Sequence, residues 1–241
     1  MTFNNLHIYF GGRHPGSQGW GEGDAEGHRY GSIDWWMDQA RLDGGLLPVT
    51  VTETGYMMPE KLTPYTIPRS LGGEYLPRTL LLAFNHHVVR TFIYELLDEI
   101  SSPDYGLLTA DLHEKPAFTA VRSLLQLLKD HGPPFSPGML TYQLDGSNIN
   151  LAHTLLQKRD GSFWLILWRE ENDYDPATNM ALTIPAQRVT LQLKPEFVVK
   201  QVSGFDDAGV ITSMKHADSQ PSSVLSIDGH PTIVTIVPNI R

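Results

Sequence analysis

No cysteine occurs among the 241 residues, which excludes a disulfide framework, a thiolate metal site and a thiol nucleophile, and leaves the redox compartment open. No apolar run reaches the roughly 18 residues that would cross a bilayer, and no secretory signal follows Met1. If the true N-terminus is missing, the absent signal means nothing, and localisation stays undetermined. Basic residues are few: 18 Lys and Arg stand against 27 Asp and Glu, for a net charge of −9. That balance argues against nucleic acid and anionic membranes, both of which reward basic patches. Neutral, hydroxyl-rich ligands suit it better. Internal repeats and low-complexity tracts are also missing. What is present in quantity is core-forming material, 41% of the residues being hydrophobic, enough for one large or two ordinary domains.

The N-terminal half reads as consecutive β/α units. Strands are expected over Leu6-His7-Ile8-Tyr9-Phe10, over Val49-Thr50-Val51-Thr52 and over Thr91-Phe92-Ile93-Tyr94-Glu95-Leu96, where β-branched and aromatic residues cluster. Between them, Ser32 can cap a helix carrying Trp35, Trp36, Ala40 and Leu42, which Gly44-Gly45 ends. Leu76, Leu80, Ala83, Phe84 and Val88 have helical spacing over about 74–89, placing Pro77 in the first turn. Pro116 opens another helix, with Ala117, Ala120, Val121, Leu124, Leu125 and Leu128 as its packing stripe. Residues 11–31 form a long glycine-rich loop and 57–72 a proline-rich one; loops of that length in a compact unit are functional or mobile.

His131-Gly132-Pro133-Pro134-Phe135-Ser136-Pro137-Gly138 marks a boundary. Beyond it, Ala152–Lys158, Ser162–Trp168, Arg188–Leu193, Phe197–Val202, Ser223–Ile227 and Thr232–Val237 alternate or run apolar between Asp-Gly turns. An all-β sandwich of about eight strands is expected there.

The most informative stretch is Val49-Thr50-Val51-Thr52-Glu53-Thr54-Gly55, a strand ending in a carboxylate and a glycine. In a parallel barrel, side chains at that end face substrate. From these residues the chain resembles the retaining glycoside hydrolases of clan A, which are (β/α)8 enzymes. His7-Ile8-Tyr9 resembles the pair ending their strand six, and Thr52-Glu53-Thr54-Gly55 the strand-seven segment bearing the nucleophile. Tyr94-Glu95-Leu96 resembles strand eight, and Tyr105-Gly106-Leu107-Leu108, Asp111 and Lys115-Pro116-Ala117 the passage after it. The resemblance covers about residues 1–130, and a sandwich appended behind the barrel extends it at low specificity.

Taken as implied by that resemblance, the fold is α/β plus all-β: residues 1–131 as the last three β/α units of a TIM barrel, 132–138 as a linker and 139–241 as the sandwich. Retaining hydrolysis uses two carboxyl groups about 5–5.5 Å apart. Glu53 is the expected nucleophile, while the Asn-Glu acid/base of strand four and the usual strand-two arginine have no counterpart here and would precede Met1. The chain is then the C-terminal portion of a longer or split enzyme, needing a complementary half or self-association. A non-catalytic carbohydrate-binding or structural protein is the rival reading.

Five further residues are assigned to the sugar site. Tyr9 donates to Glu53, and His7 bonds a sugar hydroxyl; a buried tyrosine and a satisfied core histidine are the alternatives. Tyr94 stacks under a pyranose and Glu95 accepts its hydroxyls, although the family more often has tryptophan there. Trp20 lines a subsite or pins its loop down. Trp35, Trp36, Trp164 and Trp168 belong to the core. His86-His87 and Asn172-Asp173-Tyr174-Asp175 lack ligand spacing and are expected on the solvated surface. No metal, cofactor, nucleic-acid or membrane partner is expected.

Overall fold

The computed structural model describes residues 2–99, 104–146, 150–216 and 220–239. Among the described residues it is mixed, with three helices and a majority of strands. Three parallel strands, β1 (Asn4–Ile8), β2 (Val49–Thr54) and β3 (Arg90–Ile93), pair in the order β1-β2-β3. Helix α1 (Ile33–Gly44) connects the first two and α2 (Arg69–Asn85) the second pair, while α3 (Pro116–Leu128) follows β3. Alternation decides the faces: Leu6, Ile8, Val49 and Val51 are buried, whereas Asn5, His7 and Thr52 on the opposite face are exposed. Ser32 caps α1, accepting a hydrogen bond from the Trp35 amide.

Helix α2 begins five residues earlier than the spacing of Leu76 onward predicts, so Pro77 sits in its interior. Gly72 and Gly73 disguise the first turns, since glycine weakens a helix. Packing overrides that penalty. A Cβ on Gly72 would stand 2.1 Å from Met58 Sδ, and one on Gly73 3.3 Å from Pro116 Cβ. β3 ends at Ile93, before the expected Leu96: Glu95 N donates to Tyr105 O and Leu108 N to Leu96 O, so the chain turns away to pair with residues 105–108.

The antiparallel part begins with β4 (Tyr142–Gly146), β5 (Leu151–Gln157) and β6 (Phe163–Arg169). The short β7 (Tyr174–Asp175) and β8 (Met180–Ala181) form a ribbon of their own. There follow β9 (Gln187–Leu193), β10 (Phe197–Phe205), β11 (Ile211–His216), β12 (Ser222–Ile227) and β13 (Thr232–Pro238). They make a five-stranded sheet, β11-β10-β13-β6-β5, and a three-stranded one, β12-β9-β4.

The continuous apolar run of β6 has a cause: it is covered on both faces. Phe163, Leu165 and Leu167 meet Val189, Leu191, Leu225 and Ile227 of the smaller sheet. Ile166 and Trp168 instead meet Leu81 of α2 and Ala120 and Leu124 of α3. Gly209, at φ 79° in the β10–β11 turn, docks on α3, where a Cβ would lie 2.4 Å from Pro116 O. Trp168 is fully buried, whereas Trp164, Trp35 and Trp36 are only half-buried.

Candidate functional site

The C-terminal ends of β1 and β2 bring His7, Tyr9 and Glu53 together. Val and Thr alternate along β2, which presents Val49 and Val51 to the helices and Thr52 to the open face. The pairing shifts by one residue between Leu6 and His7, so His7 lies opposite Glu53. Such shifts re-aim side chains. Gly55 is required by close approach: a Cβ there would be 2.1 Å from Tyr94 O, and Tyr94 N donates to Thr54 O at 2.8 Å.

Tyr9 Oη donates to Glu53 Oε2 at 3.1 Å, and His7 Nδ1 lies 3.3 Å from the same oxygen. His7 Nε2 is 3.0 Å from Thr52 Oγ1, which donates to Asn5 Oδ1 at 2.6 Å. A polar ladder thus runs along the open face to the carboxylate. Burial, then the Glu53 hydrogen bond and charge, push the Tyr9 hydroxyl well above its ordinary range, so Tyr9 remains a donor. The Glu53 side chain keeps 36% of its exposure, leaving it open to a ligand.

Tyr94 joins this cluster through rings: it lies 5.6 Å from Tyr105, which lies 5.5 Å from Tyr9. The Tyr94–Glu95 peptide is cis. Among the described residues Glu95 Oε1 is buried without a hydrogen-bond partner, and burial, then Glu99 and Asp98, raise its carboxyl above the ordinary range. Trp20 takes a different place. Its contacts go to the Arg13 guanidinium, 4.6 Å above its ring, and to Tyr30 at 5.6 Å. Tyr30 in turn meets Trp35 and Trp36, giving an aromatic cluster over the start of α1.

A metal-competent group also lies there. Asp24, His28 and Asp38 bring ligand atoms within 4.8 Å of one another, with His28 Nδ1 2.5 Å from Asp38 Oδ2 and Arg41 on the other Asp38 oxygen. Its residues come from a loop and a helix at irregular spacing, which no sequence motif encodes. His86, by contrast, stands 3.7 Å from Asp34. A groove of about 390 Å³ lined by Leu80, Phe84, Leu124, Leu128, Leu156 and Trp164 lies between α2, α3 and the five-stranded sheet. It is apolar and shares no residue with the Glu53 cluster.

Asp173 and Tyr174, expected on the solvated surface, are not there: Tyr174 is 1% exposed, and Asp173 faces a buried arginine. Arg78 Nη1 donates to Glu74 Oε1 at 2.6 Å and to Asp173 Oδ2 at 3.3 Å, and Nη2 to Glu170 Oε1 at 2.6 Å. Burial, then hydrogen bonding to Glu74, pushes the Asp173 carboxyl up to about 8. Burial works against the Glu170 charge too, yet Arg78 and the His14 hydrogen bond hold its carboxyl down at about 2.

A stability signature follows. Because Asp173 holds its proton more tightly folded than unfolded, its contribution is complete below the ordinary carboxylate range and is lost as pH rises to about 8. Urea unfolding is expected to show a decline between about pH 5 and pH 8, reduced in Asp173→Asn. An identical decline in the variant would mean that Asp173 titrates like a free carboxyl. Glu170 acts oppositely, its contribution present above the ordinary range and lost as pH falls towards 2.

Comparison with solved structures finds a likeness of fold to a glycoside hydrolase. The family 39 glycoside hydrolase of the gut symbiont Bacteroides cellulosilyticus WH2 superposes with a TM-score of 0.51 at 18% identity, covering 96% of this chain and 44% of that one. A second glycoside hydrolase gives 0.46 at 13% identity over 99% of this chain and 53% of its own. β-Glucuronidase 2 of Bacteroides uniformis gives 0.35 at 10% identity, over 87% and 25%. The chain thus spans under half of the family 39 enzyme. No family profile and no curated protein matches the sequence.

Proposed function

We propose that this chain supplies the nucleophile side of a retaining glycoside hydrolase, with Glu53 attacking the anomeric carbon. The observation that carries this reading is the half-exposed Glu53 carboxylate at the C-terminal end of a parallel strand, fixed by Tyr9 and bordered by His7. Tyr9 orients the attacking oxygen, and the half-exposed His7 exchanges its contact with Thr52 or Glu53 for a sugar hydroxyl as substrate arrives. Tyr94 floors the ring, Glu95 accepts hydroxyls from its far side, and Trp20 with Arg13 borders the loop side. The similarity of fold to glycoside hydrolases supports the assignment of class.

In this reading the three β/α units of residues 1–131 form one edge of a (β/α)8 barrel, 132–138 link it to the sandwich of 139–241, and the general acid comes from further β/α units. Parallel sheets are ordinarily covered on both faces. Here β1 and β3 are edges, and the face bearing Asn5, His7 and Thr52 is open. A complementary half, or a second copy, would cover it.

Purified residues 1–241 are accordingly expected to hydrolyse aryl glycosides at no more than a trace of an intact enzyme's rate, since general acid help alone is worth about 10² to 10⁴. Adding the complementary β/α segment restores turnover, and a mechanism-based inhibitor then labels Glu53. Robust turnover by the chain alone, abolished by Glu53→Gln, would locate the acid within these residues. Binding of oligosaccharide with no labelling of Glu53 in the completed protein would instead mark a carbohydrate-binding module.

A further inference from the structure

Arg78 is fully buried, and nothing in the chemistry proposed for Glu53 uses it. Its reach extends beyond the carboxylates around it. Glu170 Oε1, which accepts from Arg78 Nη2, also lies 2.8 Å from His14 Nδ1 and accepts from Gly16 N at 3.2 Å. The other Glu170 oxygen accepts from Trp168 Nε1. Asn172 Oδ1 accepts from His14 N at 3.0 Å, and Arg78 Nη2 donates also to Glu171 O at 3.0 Å. The glycine-rich loop is therefore tied to the segment leaving β6 by main-chain and side-chain bonds together. Gly16 leaves no room to spare, a Cβ there falling 2.2 Å from Glu170 Cγ.

The tied segment leads to the site. Arg13 O accepts from Tyr56 Oη at 3.0 Å, Tyr56 stacks on Phe10, and the Arg13 guanidinium lies over Trp20. Phe10 directly follows Tyr9, the donor to Glu53. Charged hydrogen bonds inside a protein are strong and directional, and a fork-shaped guanidinium fixes several acceptors at once.

The geometry points to Arg78 and Glu170 as positioning residues: Arg78 fixes the Glu170 carboxylate, Glu170 holds His14 and Gly16, and the Arg13–Trp20 pair is thereby set at the C-terminal end of β1 as a substrate-facing wall. The antiparallel unit is then a working part of the site. The substrate-facing role rests on the reading of Glu53 as the site. The loop placement stands on its own.

Hydrogen exchange of the full chain, read by mass spectrometry, tests the placement without any substrate. His14→Ala, which leaves the Arg78–Glu170 pair intact, and Glu170→Gln, which keeps the side-chain shape, are each expected to speed exchange across residues 11–20 about tenfold, with β5 and β6 unchanged. Wild-type exchange over 11–20 in both variants would overturn the proposal. So would equal acceleration in every segment, which would leave the network a purely structural one. In a glycosidase completed with its missing units, His14→Ala is expected to raise KM several-fold with kcat little changed. A fall in kcat at unchanged KM would remove the Arg13–Trp20 pair from substrate binding. Loop exchange that responds as expected while an inhibitor labels another residue would retain the tether and discard Glu53.

Discussion

Glu53→Gln is expected to lower turnover of a glycosidase completed around this chain by roughly 10⁴- to 10⁶-fold, the range that loss of a covalent nucleophile costs elsewhere. The amide is nearly isosteric and can still accept from Tyr9 Oη, so the geometry of the strand ends is retained while the charge proposed to attack is removed. With 36% of the side chain exposed, folding stability should change by less than about 1 kcal/mol. Steady-state rates and urea unfolding of the same preparation separate the two effects. A variant that keeps most of its turnover would show that another group attacks.

The largest stability effect is expected at Arg78. Arg78→Met fills similar volume but leaves Glu74, Glu170 and Asp173 around an apolar side chain. Stranding a buried charge in this way costs about 3–5 kcal/mol, which in a chain of this size lowers Tm by roughly 2–4 °C for each kcal/mol. Coupling provides the sharper check: adding Glu170→Gln to Arg78→Met should recover part of the loss, because Glu170 is the carboxyl that Arg78 keeps charged and neighbours sharing one partner are not additive. A loss below about 1 kcal/mol, with additive effects, would mean that protons already neutralise the carboxyl groups.

The elements most legible in the sequence are those whose signals are local. Ser32 caps α1, Pro116 opens α3, and the alternation of β12 and the apolar run of β6 identify strands within a residue or so of their ends. β2 and its Glu53 terminus were legible for the same reason. The start of α2 was not, because Gly72 and Gly73 are there to admit Met58 and Pro116, contacts made across the fold. Nor was the end of β3, where pairing to residues 105–108 competes with the parallel sheet. β4, β11 and the β7–β8 ribbon fall in polar stretches with little apolar periodicity.

The cluster around Glu53 was readable as a set of residue types, but the register shift that sets His7 opposite the carboxylate belongs to the pairing of two strands. The Arg78 network left no trace at all in the sequence. Its members lie 4, 92 and 95 positions from the arginine, and an acidic run such as Glu170-Glu171-Asn172-Asp173 looks like any solvated turn until α2 is laid against it.

The double cover of β6 bears on how freely such a chain could be recombined. Ile166 and Trp168 of the strand, with Phe205 and Ile233 nearby, face Leu81, Ala120 and Leu124 of the helices, and the Gly209 turn rests on the opening of α3. Cutting at the proline-rich connector would bare a greasy patch on each fragment, shaped for the other. The C-terminal sheets are thus poor material for exchange between proteins as a ready-made cassette: transplanted, they would need their donor's helices, and these helices would accept few sheets but their own.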